Sequence, residues 1–265
     1  MSHSQYSRLV ALLAVALLPA ACRSFEVEST QIALIRVPTT RDGDQYNSAP
    51  SAFFIEGTNI SLASTIVGQE GCFVRTLTPV PTNQNFTYLD AGASVTARFG
   101  GAPAEMTKRV DVDRTTYELP EGTSMSFTPG ENITVTIPGA AGGFPARTIS
   151  APTAPAFTPG DITLPALETD NMTVTWEPTP TISGTAMFYS FKYANAGAIL
   201  DKEIACVFTD DGSGVVPSAA LTEYRASAVR SGAAQRGLIT ANRVGSAITH
   251  VTSVFEVPLV LNDIP

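Results

Sequence analysis

Histidine is the base that most often activates a serine or cysteine nucleophile, and the chain contains only two, His3 and His250. His3 precedes an apolar N-terminal block, so His250 is the candidate base of the remaining chain. Successive side chains of a strand point to opposite faces, so His250 faces water if Val251, Phe255 and Val257 face the core. No serine lies in a G-x-S-x-G pattern, and we therefore predict no catalytic triad.

Paired carboxylates are the next candidates for catalysis. Asp111 and Asp113 flank one residue and can share one face of a strand, as the two acids of a glycosidase must lie close together. Acids in loops more often form turns or are solvated. The Gly-rich segment 138–145 lacks the G-K-[ST] that would bind nucleotide phosphates. We predict that the chain is not an enzyme, with no catalytic residue and no cofactor.

Calcium is the better functional interpretation of two other acid pairs. Asp42 with Asp44, and Asp210 with Asp211, lie beside glycines in predicted loops, and Ca²⁺ takes six to eight oxygen ligands. Neither pair has the spacing of an EF-hand loop. All four remain weak calcium candidates, and we predict no metal site.

The three cysteines are Cys22, Cys72 and Cys206. Cys22 follows the apolar N-terminal block, which leaves the other two free to form one disulfide in an oxidising compartment. Two separately buried thiols are the alternative, because cysteine is among the most buried residue types. No C-x-x-C or Cys/His cluster indicates zinc.

Residues 1–21 have the organisation of an export signal. Arg8 supplies a positive charge, Leu9–Leu18 is apolar, and small residues precede Cys22. The apolar block is too short for a stable membrane-spanning helix.

Leu18-Pro19-Ala20-Ala21-Cys22 resembles the lipobox of bacterial lipoproteins, in which the cysteine carries a lipid. The resemblance implies a lipidated tether at 22–30, and Arg23 instead of aspartate implies the outer membrane. Ordinary cleavage after a small residue is the alternative. We expect an exported protein of the cell envelope, anchored on the periplasmic face or the cell surface.

The composition of the chain excludes two further classes of protein, nucleic-acid-binding proteins and disordered chains. With 16 Lys and Arg against 24 Asp and Glu, the formal net charge is −8, and no basic stripe exists to bind nucleic acid. Hydrophobic residues make up 44% and charged residues 15%, which is unlike a disordered chain.

Short runs rich in Val, Ile, Thr and aromatic residues recur between Gly, Pro, Asn and Asp, which is typical of strands and turns. Ser218–Glu223 alone has a helical pattern. We predict an all-β protein. The clearest predicted strands are Gln31–Val37, Ala52–Glu56, Asn59–Ile66, Cys72–Leu77, Phe86–Leu89, Ser94–Phe99, Glu105–Val110, Thr115–Leu119 and Asn132–Ile137.

A Pro-rich segment at 151–161 is typical of an interdomain linker, because proline removes backbone donors and stiffens the chain. We predict an N-terminal β-sandwich at 31–150 and a C-terminal one at 162–265.

Met172–Pro178 resembles the B strand of fibronectin type III domains, with Trp176 between two sheets. Phe188–Tyr193 corresponds to the following strand, and Leu221–Ala228 is similar to the F strand, with Tyr224 at its corner. The resemblance implies an immunoglobulin-like sandwich. We therefore expect two tandem antiparallel sandwiches.

Aromatic side chains at alternate positions suit either packing or sugar binding. Tyr189, Phe191 and Tyr193 share one strand face, which is exposed if Trp176 and Phe188 face the core. Packing is the favoured interpretation, because aromatic residues dominate sandwich cores.

We expect a non-enzymatic, membrane-anchored envelope lipoprotein that acts as an interaction or display module for an envelope protein or glycan. A carbohydrate-binding or carbohydrate-active surface protein is the alternative, and a purely structural spacer is a third hypothesis.

Overall fold

The computed structural model describes residues 30–57, 70–77, 86–112, 114–179, 182, 184–194, 197, 199–259 and 261–262. Several predictions fall outside the described residues: the export signal, Cys22 with most of its tether, the strand at Asn59–Ile66, and Asp113.

The described chain is mostly β, as predicted, with one short helix, α1, at Ser218–Ala226. Strands of the first half are β1 Thr30–Asp42, β2 Gln45–Ser48, β3 Ser51–Gly57, β4 Gly71–Thr76, β5 Phe86–Tyr88, β6 Ser94–Arg98, β7 Ala104–Asp111, β8 Arg114–Glu118, β9 Met125–Ser126, β10 Asn132–Ile137 and β11 Arg147–Pro152. Those that follow are β12 Ile162–Thr163, β13 Met172–Thr175, β14 Thr185–Tyr193, β15 Lys202–Thr209, β16 Ser213–Val216, β17 Arg230–Val244, β18 Ala247–Pro258 and β19 Leu261–Asn262.

Fifteen of these strands form one large mixed sheet, whose main path is β11-β10-β6-β7-β8-β3-β1-β18-β17-β14-β15-β4. Strand β1 pairs in parallel with β18, and the other described pairings of this sheet are antiparallel. The sheet contains strands from both sides of the segment 151–161. The division into two tandem sandwiches therefore stays a prediction.

Two clusters of buried side chains fill the fold. The first core includes Phe54, Tyr117 and Val135, and the second includes Trp176, Tyr189 and further residues of β13–β17. The half-buried ring of Tyr46 packs against both clusters. Strand β18 contributes Val251 to the first core and Phe255 to the second, so the two cores meet at β2 and β18.

Two elements differ from the resemblance and the strand pattern. Leu221 and Tyr224 are buried on α1, so the predicted F strand at 221–228 is wrong: three- and four-residue spacing places both side chains on one helical face. Proline lacks a backbone N–H and is rarely found inside a paired strand, yet β1 continues past Pro38. It does so because β2 pairs with β1 from Thr39 onward.

Strand β4 joins the sheet of the second core, although it precedes the predicted linker by about 75 residues. Cys72 lies directly opposite Cys206 of β15, and the two sulfurs form a disulfide with an S–S distance of 2.07 Å. Arg75 of the same strand pairs with the buried Glu203, with 2.5 Å between Nη2 and Oε2. Both contacts fix the register of this edge strand.

We expect the Cys72→Ser/Cys206→Ser variant to lose about 2–5 kcal/mol of unfolding free energy, because the disulfide closes a loop of more than a hundred residues. Urea unfolding measures the loss. As a direct check, unfolded and unreduced Cys22→Ala protein is treated with an alkylating reagent, which should label no cysteine. Two labelled cysteines would contradict the pairing.

Candidate functional site

A cleft of about 620 Å³ lies where β1 and β18 end side by side. Because these strands are parallel, their carboxyl ends meet at one edge of the sheet, with Thr39 opposite Phe255. The segment Phe157–Pro159 forms the third wall. Phe157 and Phe255 contact each other edge to face, with ring centres 5.8 Å apart. The cleft is therefore a junction of three chain segments with an aromatic floor.

The polar groups of the cleft lie at its rim and at one buried point. Thr40, Arg41 and Glu256 are exposed at the rim. Thr39 is 2% exposed, and its hydroxyl has no hydrogen-bond partner among the described residues. Since buried hydroxyls normally have a partner, this oxygen is a position at which a bound group can donate or accept a hydrogen bond.

A buried ion pair lies behind the cleft. Arg236 on β17 and Asp210 after β15 have side chains 1% and 3% exposed, with 2.8 Å between Nε and Oδ2. That N–H does not point at Oδ2, so this contact is electrostatic. Nη2 of Arg236 donates to Oδ1 at 2.9 Å, and the indole N–H of Trp176 donates to the same oxygen at 2.8 Å.

The same guanidinium group also holds the cleft wall. Its Nη1 donates to the carbonyl of Ala156 at 2.9 Å, and its Nη2 donates to the carbonyl of Glu177. The guanidinium carbon lies 5.0 Å from the ring centre of Phe157. Arg236 thereby fixes the segment that precedes the third wall, together with the ring that forms part of the floor.

Sequence reasoning missed Arg236, although the pattern contains a signal. Ala234, Arg236 and Leu238 alternate along β17, and all three are buried. A charged residue at the inward positions of a strand needs a buried partner, because an unpaired buried charge is costly.

The calcium candidates have other roles. The side chain of Asp210 is buried and bound by Trp176 and Arg236, so its carboxylate already has a counter-charge. Asp211 is exposed and accepts a hydrogen bond from the Ser213 amide at 3.3 Å. No three His, Cys, Asp or Glu residues of the described chain are grouped as metal ligands.

The other calcium pair lies at the tip of the β1–β2 hairpin. Asp42 is the last residue of β1, and Asp44 lies in the turn that follows. The distance between Nη2 of Arg41 and Oδ1 of Asp44 is 3.9 Å. Both acids are exposed. The hairpin is therefore a charged loop beside the cleft.

His250 is half-buried between Leu34 of β1 and Ala241 of β17. Burial lowers the pKa of its imidazole, and Nδ1 has no hydrogen-bond partner among the described residues. Val251 and Phe255 face the core as expected, but the opposite face of β18 is only partly open to water.

The alternating aromatic side chains of β14, which we call the aromatic stripe, are packed inside the second core. Tyr189, Phe191 and Tyr193 are each at most 1% exposed and line the second core together with Trp176. Phe188 points to the other face, so the premise that it accompanies Trp176 inward was wrong. The buried tyrosines offer no platform for sugars.

A second polar cluster, also missed in the sequence, joins β7, β8 and the segment after β5. The Tyr117 hydroxyl lies 3.0 Å from Asp90 Oδ1 and accepts a hydrogen bond from the Ala91 amide at 2.8 Å. Hydrogen bonding to Lys108 and the Gly92 amide lowers the pKa of Asp90 to about 2. Burial raises the pKa of Tyr117 to about 12. These contacts bind strands together within the first core.

The chain matches no protein-family model, and no curated protein or solved structure is significantly similar to it. None of the helical residues described here forms a segment long and apolar enough to span a membrane. The candidate site therefore depends on its geometry alone.

We expect Asp210→Asn to lower the unfolding free energy by about 3–5 kcal/mol, because it leaves the guanidinium of Arg236 buried without a counter-charge. Asp211→Asn is the matched control, since the neighbouring carboxylate is exposed and its removal should cost less than about 0.5 kcal/mol. Chemical denaturation of both variants measures the difference. Equal losses would show that the ion pair does not stabilise the fold.

Proposed function

We propose that the chain is an exported, lipid-anchored envelope protein without enzymatic activity, which binds a partner protein through the cleft. Its strands form two immunoglobulin-like lobes in this proposal. The two separate core clusters support that description.

The disulfide supports export. Disulfides persist in oxidising compartments and are rare in a reducing cytosol. Cys72 and Cys206 are paired, which leaves Cys22 as the remaining cysteine of the chain. Cys22 lies at the end of the lipobox-like segment, and we therefore assign it as the lipidated residue of the proposed anchor.

The cleft is the observation that supports a binding function. It combines an aromatic floor with one buried hydroxyl that lacks a partner among the described residues, and binding sites typically pair apolar walls with few polar groups. An apolar side chain of a partner's extended segment fits the floor. A backbone group of that segment satisfies Thr39.

The neighbouring polar side chains support a binding role over catalysis. Arg236 pairs with Asp210 and donates to two backbone carbonyls, and Asp210 also accepts from Trp176, so neither side chain reaches the cleft with a free acid or base. The aromatic stripe does not support the carbohydrate alternative, because its tyrosines are buried in the second core and cannot contact a sugar.

The anchor is tested by fractionation of envelopes. Cys22→Ala should move the protein from the membrane fraction to the soluble fraction, because the proposed lipid would have no attachment site. Ser24→Ala is the control and should remain in the membrane fraction. Continued membrane association of Cys22→Ala would refute the anchor.

The binding face is tested by capture from cross-linked envelopes. Thr40→Arg/Thr158→Arg places two long cations at the exposed rim of the cleft and should abolish capture of the partner seen with wild type. Thr173→Arg, at an exposed position of β13, is the control and should retain it. Capture unchanged by the cleft variant would assign the binding face elsewhere.

A further inference from the structure

Strand pairing defines the end of the fold opposite the cleft, which we call the tether end. Strand β1 begins there at Thr30, and Gln31 lies opposite Ala247 at the start of β18. The turn that joins β17 to β18 at Gly245 is therefore adjacent to the point where the tether enters the sheet. The cleft lies at the opposite end of β1, about 26 Å along the strand.

The tether end carries an exposed apolar side chain on the β17–β18 hairpin. Val244 is 61% exposed, and Arg243 beside it is exposed as well. The residues from 241 to 246 are all exposed, so the hairpin projects beyond its neighbours.

A second hairpin points in the same direction. Strand β8 is antiparallel to β3, so the β7–β8 turn is directed toward the end of β3 that lies beside Thr30. Val110 and Val112 are 68% and 92% exposed there. Together with Val244, they are three of the eight large hydrophobic side chains exposed in the described chain.

The backbone of the second tip is strained. Val112 has a φ of 36°, and it is the single described residue other than glycine with positive φ. A β-branched side chain is a strong outlier in that conformation, and such strain concentrates at functional positions. The strain holds an apolar side chain at the point of the turn where it is most exposed.

The length of the tether limits where this end can lie. Seven residues, 23–29, lie between Cys22 and Thr30, and a fully extended chain over that stretch spans at most about 29 Å. A lipid on Cys22 therefore keeps the tether end within about 29 Å of the membrane surface. The cleft lies about 26 Å farther along β1, so the tether alone does not set its orientation, and contacts made by the tether end must do so.

We propose that the tips at Val112 and Val244 contact the lipid surface and orient the cleft away from it, an inference that rests on the proposed anchor at Cys22. Exposed apolar side chains enter the headgroup region, while neighbouring arginines such as Arg114 and Arg243 keep their charges at its polar level. Asp111 and Asp113 flank Val112 and Arg114 follows, so residues 111–114 carry a formal charge of −1, and we expect the tip to prefer uncharged over anionic lipid.

The test uses full-length lipidated protein in phosphatidylcholine vesicles. An environment-sensitive fluorophore is attached at Val112→Cys, Val244→Cys or Asp44→Cys, with the native disulfide left intact. Asp44 is the matched control, because it is a fully exposed turn residue at the cleft end. Labels at 112 and 244 should shift to shorter wavelengths and be quenched by a lipid-borne quencher, whereas the label at 44 should do neither.

Two results would overturn the inference, and they are distinguishable. If the vesicles retain the protein but the three labels behave alike, the anchor stands and the lipid contact of the tips is wrong. If the protein does not float with the vesicles, the anchor itself fails, and the lipid contact fails with it.

Discussion

The buried ion pair between Arg236 and Asp210 is the constraint around which the second half of the fold is arranged. A guanidinium group removed from water needs its charge and its donors satisfied, and here three chain segments supply the oxygens. Those segments are the loop after β15, the Pro-rich stretch before the cleft and the residues after β13. Packing alone does not select one arrangement of three irregular segments, whereas directed contacts to one cation do.

The position of the ion pair also explains why the Pro-rich stretch is ordered. Residues 151–161 have the composition of a linker, yet Ala154 and Phe157 are buried and the Ala154 amide donates to Ser253 at 2.8 Å. The stretch crosses between the two cores and contributes a wall of the cleft. A segment with few donors of its own can be fixed in this way when donors from neighbouring strands reach its carbonyls.

The sequence predicted strands where alternation was strong and failed where partners decide the outcome. Strands β1, β3 to β8 and β10 begin within a residue of the predicted positions, whereas β2 and β11 had not been predicted. No local pattern indicated that β1 pairs with β18 or that β4 joins β15, because such pairings depend on contacts more than a hundred residues apart. The cleft was missed for the same reason, since its three walls are distant in sequence. Tyr224 illustrates a different failure, in which a residue pattern shared by strands and helices was assigned to a strand.

The pairing of β1 with β18 sets the order in which the chain completes its fold during synthesis. During synthesis from the N-terminus, β1 emerges first, and its parallel partner emerges more than two hundred residues later. Until then one edge of β1 is open, and Ala247 and Val251 are missing from the first core. Cys72 likewise cannot form its disulfide until Cys206 has emerged. The chain therefore finishes folding only after nearly all of it has been made. During that interval an open strand edge and an unpaired thiol are available to react with other chains.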